Sequence, residues 1–249
     1  MIVFLINAIK IIFLLGILVF IHEGGHFTVA KLCKIKVNEF ALGFGPTLIS
    51  KTKGETKYAI HLIPLGGYVD LEGEEKQSDA EGSFSKASIP KKIAILLAGG
   101  TVNILFGVLI YLGLLIYICE DANVVERLQF ALSNTGGFIV SIFTGLKELL
   151  TGKVGVNQMT GIVGISNMVV KTSGIVNYLY LMGVISLSLG ITNLLPFPPL
   201  DGGKILLYII EAIRRKPLNE TFVTKLQVFG FTLLIVLSIY ITYLDILRI

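Results

Sequence analysis

The sequence predicts a mainly α-helical, polytopic membrane protein with four transmembrane helices and a small β-sheet after the first of them. Hydrophobic residues make up 53% of the 249-residue chain and charged residues only 15%, and the mean hydropathy is +0.80. These values exclude an ordinary soluble domain. Four apolar runs are long enough to cross about 30 Å of hydrocarbon, and they cover residues 2–30, 93–119, 176–195 and 222–244.

Basic residues cluster where the predicted helices meet their loops, and this distribution predicts the orientation in the membrane. Lysine and arginine follow the first span, precede the second and lie between the third and the fourth, whereas the 120–126 loop is acidic. The positive-inside rule then places residues 31–92 and 204–222 in the cytoplasm and both termini outside. Because the net charge of +4 arises from these loop residues, it does not indicate a nucleic-acid partner.

Between the first two spans, residues 36–72 change from helical to β-prone character. Short stretches rich in β-branched and aromatic residues alternate with turns that contain glycine or proline, which predicts a small antiparallel sheet. Its first half carries two phenylalanines and two leucines within residues 40–48, so we expect it to dip into the membrane. His61 is expected at an exposed strand position and not in a metal site, because it has no partner at ligand spacing.

Two further segments are expected at the membrane surfaces. Residues 72–88 are polar and predict a flexible cytoplasmic loop. Only sixteen residues separate the second span from Gly136–Gly137, too few for a further globular domain, so residues 1–249 are expected to form a single domain. Beyond these glycines, apolar residues recur at helical spacing over about residues 138–150, which predicts an amphipathic helix on the outer face and not a fifth span.

The first span contains the sequence His22-Glu-Gly-Gly-His26. Histidines four residues apart lie on the same face of a helix, so both can bind one metal ion. Glu23 can then act as a general base toward a water molecule at that metal. Ionisable groups are costly to bury in a membrane span and usually mark function; the alternative is a chance arrangement of three polar residues. The motif predicts a metalloprotease whose active site lies within the bilayer.

A catalytic zinc usually has three protein ligands and one open position, and Asp201 is the candidate for the third ligand. It follows Pro196, Pro198 and Pro199, which cannot continue an α-helix. Non-helical backbone at membrane depth is tolerated only where it lines a protein or water cavity, so a carboxylate there is a suitable ligand. Alternatively, Asp201 caps the next helix. Asn193 can hydrogen-bond an extended peptide or an oxyanion.

Taken together, these motifs resemble those of the bacterial site-2 protease family, the intramembrane zinc metalloproteases similar to the regulator-of-sigma-factor proteases. The resemblance covers nearly the whole chain. Its most specific motifs are His22-Glu-Gly-Gly-His26 and Asn193 with Leu200-Asp-Gly-Gly203. The supporting motifs are Gly43-Phe-Gly-Pro46, Ile63-Pro-Leu-Gly-Gly-Tyr-Val69, Ala98-Gly-Gly-Thr-Val-Asn103 and Gly161-Ile-Val-Gly-Ile165.

The resemblance implies a role for each of these sites. It implies one Zn²⁺ per chain, with three ligands: His22, His26 and Asp201. It implies that Glu23 is the catalytic base. It also implies that residues 36–72 form a membrane-reentrant β-loop that guides the substrate, and that the substrate chain contacts three residues: Asn193, Gly66 and Gly67.

The implied substrates are single-pass membrane proteins, such as anti-sigma factors or remnants of signal peptides, cut within their transmembrane segments. The implied location is the bacterial cytoplasmic membrane, with the lipid bilayer around the protein. The helix rise places the histidine motif nearer the cytoplasmic end of the first span, and its need for water predicts an active site open to the cytoplasm. Close members of the family carry a PDZ domain between the second and third spans, and the short loop here leads us to expect none. The sequence leaves the oligomeric state open.

Two other functions compete with proteolysis. A non-enzymatic membrane protein for metal binding or metal transport would use the same three ligands. Transport, however, needs a path of polar groups across the membrane, and the spans offer few such groups besides Asn103 and Asn193. A proteolytically inactive scaffold is disfavoured because Glu23 is intact.

Overall fold

A computed structural model describes residues 2–74, 76–118 and 122–248. Two long strands, β1 (Val37–Lys53) and β2 (Thr56–Leu71), lie between the first two helices. The helices of the described residues are α1 (Ile2–Leu32), α2 (Ile89–Ile118), α3 (Val124–Leu150), α4 (Ile162–Lys171), α5 (Ile175–Asn193), α6 (Asp201–Arg214) and α7 (Glu220–Arg248).

Four of the helices that the structure describes, α1, α2, α5 and α7, are long and apolar enough to cross a membrane. They coincide with the four predicted spans to within about four residues at each end. The predicted fold class, a multi-pass membrane protein with a small sheet after the first helix, is therefore confirmed. The predicted end of the second span at Cys119 and the acidic residues Glu120 and Asp121 lie outside the described residues.

The chain divides into two compact units. The first is formed by Ala8–Ile104 and Leu189–Phe231 and contains the sheet and all predicted site residues. The second is built mainly around Leu105–Ser188. In each unit, glycines allow α2 and α5 to approach closely, as small residues commonly do between membrane helices. A Cβ built on Gly100 would lie 2.9 Å from the carbonyl oxygen of Gly190 in the first unit.

In the second unit, α3 begins at Val124 and continues to Leu150, so the predicted start near residue 138 is wrong. A capping box explains the earlier start, because the Asn123 side chain accepts a hydrogen bond from the Glu126 N–H and Glu126 returns one to Asn123. Gly136–Gly137 lies inside the helix. Each glycine weakens a helix by only about 1 kcal/mol relative to alanine, which does not interrupt a long one.

Helix α4 in the same unit was not predicted, and a buried carboxylate holds its start. Asp245 of α7 accepts hydrogen bonds from the backbone N–H groups of Gly161 and Gly164, at 2.9 and 2.8 Å. The first N–H groups of a helix have no partner within the helix and favour a negative charge. The supporting motif at residues 161–165 therefore forms a capped helix start against α7.

The antiparallel sheet predicted for residues 36–72 is present, but it consists of two long strands that fold back on each other. Phe40 pairs across the sheet with Tyr58 on one side and with Val69 on the other, and Tyr58 pairs in turn with Lys51. Four segments therefore lie side by side, in the order 49–53, 56–60, 39–42 and 67–71. Among the described residues, segment 67–71 has a neighbour on one side only. We refer to it as the edge segment.

Residues 72–88 were predicted to be a flexible loop; the described part of this segment is not helical, but several of its side chains pack against the rest of the chain. Phe84 is 1% exposed and belongs to a buried cluster formed by Ala30, Ile35, Val37, Leu71 and Ile95. Hydrogen bonds from Ser78 and Asn38 hold the pKa of the Glu72 carboxyl below its usual value. Lys204 of α6 pairs with Glu74 at 2.7 Å. The segment is thus bound to the sheet and to α6.

His61 was expected to be exposed, and it is buried within the sheet at 8% exposure. Its Nδ1 lies 3.3 Å from the Thr47 hydroxyl, and its Nε2 lies 3.3 Å from the Tyr68 hydroxyl. These partners come from other segments of the sheet. His61 is not part of the metal-ligand cluster found among the described residues.

Candidate metal centre

Helix α1 places His22 and His26 on one face, as their spacing predicts. Their Nε2 atoms are 3.2 Å apart, and both residues are 9% exposed. Two imidazoles are thus buried side by side with a ring nitrogen of each directed to the same point. They could supply two of the three protein ligands that a catalytic zinc usually has.

The first residue of α6, Asp201, completes the cluster. Its Oδ2 lies 3.2 Å from Nε2 of His22 and 3.3 Å from Nε2 of His26. Within the described part of the chain, this buried oxygen accepts no hydrogen bond, although buried polar atoms almost always have a partner. The N-cap residue of α6 is Leu200, which makes no side-chain capping hydrogen bond. The position of Oδ2 between the two histidines favours a ligand role for Asp201 over the alternative in which it is only a helix cap.

The three ligand atoms fit zinc in type and in spacing. Zinc binds imidazole nitrogen and carboxylate oxygen at about 2.0–2.2 Å, usually as a tetrahedron, and two corners of such a tetrahedron lie about 3.3 Å apart. The three sides of the triangle measured here are 3.2, 3.2 and 3.3 Å. Two nitrogens and one oxygen provide three corners and leave the fourth open, as in catalytic zinc sites.

The proline-containing segment positions Asp201, as the sequence predicts. Helix α5 ends at Asn193, residues 194–200 are not helical, and α6 begins at Asp201. The next residues, Gly202 and Gly203, are buried. A Cβ on Gly203 would lie 2.6 Å from the carbonyl carbon of Phe197, so the first turn of α6 packs directly on the proline segment.

Groups on α2 contact the outward nitrogens of both imidazoles. His26 Nδ1 lies 2.8 Å from the carbonyl oxygen of Ile95, so Nδ1 carries the proton and Nε2 keeps its lone pair for a metal. His22 Nδ1 lies 3.5 Å from the amide nitrogen Nδ2 of Asn103, which is fully buried. Asn103 was not predicted to be part of the site. The signal available in the sequence was a lone amide in a span without charges.

Glycine on α2 leaves room for the His26 ring. A Cβ on Gly99 would overlap that imidazole, and a Cβ on Gly25 would lie 2.7 Å from the carbonyl oxygen of Ala98. The glycines of the Ala98–Asn103 motif therefore allow α2 to approach the histidine face of α1.

A cleft of about 240 Å³ lies beside the cluster and brings the remaining predicted site residues together. Three elements line it: α1 with Val19, His22 and Glu23, β2 with Gly66–Gly67, and α5 with Leu189 and Asn193. Glu23 and Asn193 thus share one cleft with a ligand of the cluster. Two apolar residues that line the cleft, Val19 and Leu189, were not predicted from the sequence.

Two glycines bring the edge segment of the sheet against α1. A Cβ on Gly67 would lie 2.8 Å from Cγ1 of Val19 and 3.2 Å from Cγ of Glu23. Gly66 has a φ of +131°, and a Cβ there would overlap the ring of Phe44. L-residues rarely adopt this φ, so glycine is required at residue 66, and it is Gly67 whose missing side chain allows the approach to α1.

The model of peptidase family M50 matches residues 10–237. The chain belongs to peptidase family M50. The zinc metalloprotease RasP of Bacillus licheniformis is 23% identical to it over 97% of this chain and 99% of that protein. A Clostridium perfringens protein, provisionally named a zinc metalloprotease, is 29% identical over 92% of this chain and 95% of that protein. The resemblance to site-2 proteases is confirmed, and the protein is a zinc metalloprotease of the membrane.

The relatives also contain segments that this member of the M50 family lacks. A Clostridium acetobutylicum protein, also provisionally named a zinc metalloprotease, is 24% identical over 96% of this chain and 97% of that protein. The alignment runs over 329 positions, whereas this chain has 249 residues. That relative therefore has internal segments without a counterpart here, and the expected absence of a PDZ domain stays a prediction.

Replacing Gly99 by alanine is expected to reduce metal binding, because the added methyl group displaces the His26 ring from the cluster. Zinc per chain, measured on purified protein after dialysis against a weak chelator, is expected to fall about tenfold or more. Gly113→Ala is the matched control on the same helix, since a Cβ there meets no atom within 4 Å. Full zinc content in Gly99→Ala would show that the observed position of the His26 ring is not needed for binding.

Proposed function

We propose that this metalloprotease hydrolyses peptide bonds within transmembrane segments of other membrane proteins. The observation that carries the proposal is the cluster of His22, His26 and Asp201, with ligand atoms 3.2–3.3 Å apart, on a helix apolar enough to span the membrane. We assign these residues as the ligands of one Zn²⁺ per chain and Glu23 as the catalytic base.

The residues of the cleft have different roles in the proposed reaction. Zinc, when bound, supplies a Lewis acid that lowers the pKa of a water molecule and polarises the scissile carbonyl. Glu23 takes the proton of the attacking water and delivers it to the leaving amine. The side-chain N–H of Asn193 donates a hydrogen bond to the developing oxyanion. Each of these side chains lines the cleft.

Two groups of α2 hold the histidines in the tautomer that ligation needs. The Ile95 carbonyl accepts the Nδ1 proton of His26. We assign the Asn103 amide the same role for His22, with its oxygen facing Nδ1, because the two ends of an amide are distinguished only by their hydrogen bonds. Such partners of ligating histidines fix ring orientation and contribute to metal affinity.

The edge segment gives the substrate a way to reach the cleft. A transmembrane helix uses its amides in its own hydrogen bonds, so it must unwind before it is cut. Among the described residues the edge segment has a neighbouring strand on one side only, so an extended chain can add on its other side, and at Gly67 it lies against Glu23. Single-pass proteins with helices weakened by glycine, proline or asparagine are therefore the proposed substrates. By resemblance, these include anti-sigma factors and signal-peptide remnants.

We place the protein in the bacterial cytoplasmic membrane with the cleft open to the cytoplasm. The basic loops at residues 31–92 and 204–222 support this orientation. The sheet, whose Gly67 lies against Glu23, and most of α6, which begins at Asp201, belong to these basic parts of the chain.

Glu23→Gln tests the assignment of the base. It keeps the shape of the side chain but cannot accept a proton, so cleavage of a membrane-embedded substrate is expected to fall by about a hundredfold or more. Zinc content is expected to stay at the wild-type level, because Glu23 is not a ligand. Both are measured on purified protein in detergent or liposomes.

The controls for this variant are His22→Ala, His26→Ala and Asp201→Ala, each of which should lose zinc and activity together. A metal store or transporter would lose little function with Glu23→Gln. Cleavage by Glu23→Gln at the wild-type rate would contradict the assigned base and the mechanism.

Orientation is tested with single cysteines in a chain whose two native cysteines are replaced. Asp79→Cys, at a fully exposed side chain, is expected to react with an impermeant thiol reagent only after the cell is opened. Val124→Cys, at a position 72% exposed, is expected to react from outside in intact cells. The reverse pattern would place the cleft on the outer side of the membrane.

Single prolines in the edge segment test strand addition. Neighbouring residues point their N–H groups to opposite sides of a strand. One of the two variants Val69→Pro and Asp70→Pro therefore removes an N–H that faces away from the sheet (the outward variant), and the other removes an N–H that faces the neighbouring segment. The outward variant is expected to keep zinc and thermal stability while its cleavage rate falls. Ser50→Pro, in the opposite edge of the sheet, is the control. An outward variant that cleaves at the wild-type rate would rule out strand addition at this edge.

A further inference from the structure

The cleft contains an apolar pair that the proposed chemistry does not use. Val19 of α1 and Leu189 of α5 line it beside Glu23 and Asn193, and both are half-buried. Neither residue can bind a metal or move a proton. Their side chains therefore act on the substrate by shape and by hydrophobic contact.

The spacing along both helices relates this pair to the reacting groups. Val19 precedes Glu23 by four residues and Leu189 precedes Asn193 by four, so each apolar side chain lies one turn from the polar side chain on the same helix face. Val19 and Glu23 both lie close to Gly67. A Cβ built on Gly67 would be 2.8 Å from Cγ1 of Val19 and 3.2 Å from Cγ of Glu23. The pair thus lies beside the side chains assigned to the reaction.

An extended substrate beside the edge segment would direct one side chain toward this pair. Successive side chains of a strand point to opposite faces. When the scissile carbonyl faces Glu23 and Asn193, one of the two residues that flank the cut has its side chain on the side of Val19 and Leu189. The available volume is small, because about 240 Å³ is less than the roughly 300–1,000 Å³ of pockets for small molecules, and it must also hold the backbone.

We propose that Val19 and Leu189 form a subsite that selects a small or medium aliphatic side chain, such as alanine, valine or leucine, next to the scissile bond. Phenylalanine and tryptophan, whose rings are larger, are expected to fit less well. A charged side chain placed against Val19 and Leu189 would lose water without gaining a partner from either residue. This inference rests on the proposed function and adds a substrate class to it.

The experiment uses one single-pass membrane substrate that the wild-type protein cuts, with the cut mapped by mass spectrometry. Each residue that flanks the cut is then varied as Ala, Leu, Phe or Asp. Two substrates compete in the same reaction, and their ratio of kcat/KM is measured. The ratio does not depend on the amount of active enzyme, so a partly unfolded variant still gives a valid result.

Three variants change the volume of the subsite in known directions. Leu189→Ala and Val19→Ala enlarge it and are expected to raise the ratio of Phe to Ala substrate by about tenfold or more at one flanking position. Val19→Phe fills it and is expected to lower the ratio of Leu to Ala substrate by a similar factor. Ile12→Phe adds the same ring to α1 at a position outside the cleft and 50% exposed, and is expected to leave both ratios unchanged.

Ratios that stay within about twofold of wild type in all three cleft variants would overturn the subsite. The same holds if Ile12→Phe shifts them as much as Val19→Phe does. Failure of the wild-type protein to cut any membrane-embedded substrate would instead contradict the proposed function, so the two failures are distinguishable.

Discussion

A carboxylate and two imidazoles are buried together in this protein, and much of the surrounding structure serves to hold them at one point. Burying such groups without partners is costly, and the Asp201 oxygen between the two histidines accepts no hydrogen bond from the described residues. A divalent cation held by these three residues would remove this cost, because it would take a lone pair from each imidazole and balance the charge of the carboxylate. The local sequence follows from the same requirement: prolines end α5 before Asp201, and Gly99 leaves space for His26.

The proposed function gives the sheet beside these helices a role. Proteolysis within a membrane, as proposed here, needs an extended substrate, whereas a spanning segment satisfies its backbone by remaining helical. The edge segment presents backbone groups at the place where Gly67 lies against Glu23. Packing of Phe84 under the sheet, with Leu71 and Val37, fixes the sheet to the helices that carry the ligands. The sheet edge and the metal ligands are therefore held by one core.

Much of the fold and the candidate metal cluster can be predicted from local sequence, because the spans follow from hydropathy, the histidine pair from helical spacing and Asp201 from the proline-containing break. The missed features depend on partners distant in sequence. His61 is buried through contacts with Thr47 and Tyr68, and Asn103 meets a histidine 81 residues away. The start of α3 is different, because Asn123 and Glu126 have the spacing of a capping box and that signal was available in the sequence.

X-ray absorption at the zinc edge tests most directly whether His22, His26 and Asp201 hold the metal. The wild-type protein is predicted to show only nitrogen and oxygen neighbours at about 2.0–2.2 Å, including imidazole. In a chain whose native cysteines are replaced, Asp201→Cys is predicted to add one sulfur neighbour at about 2.3 Å. Zinc that stays bound in Asp201→Cys with an unchanged shell of nitrogen and oxygen would contradict the account.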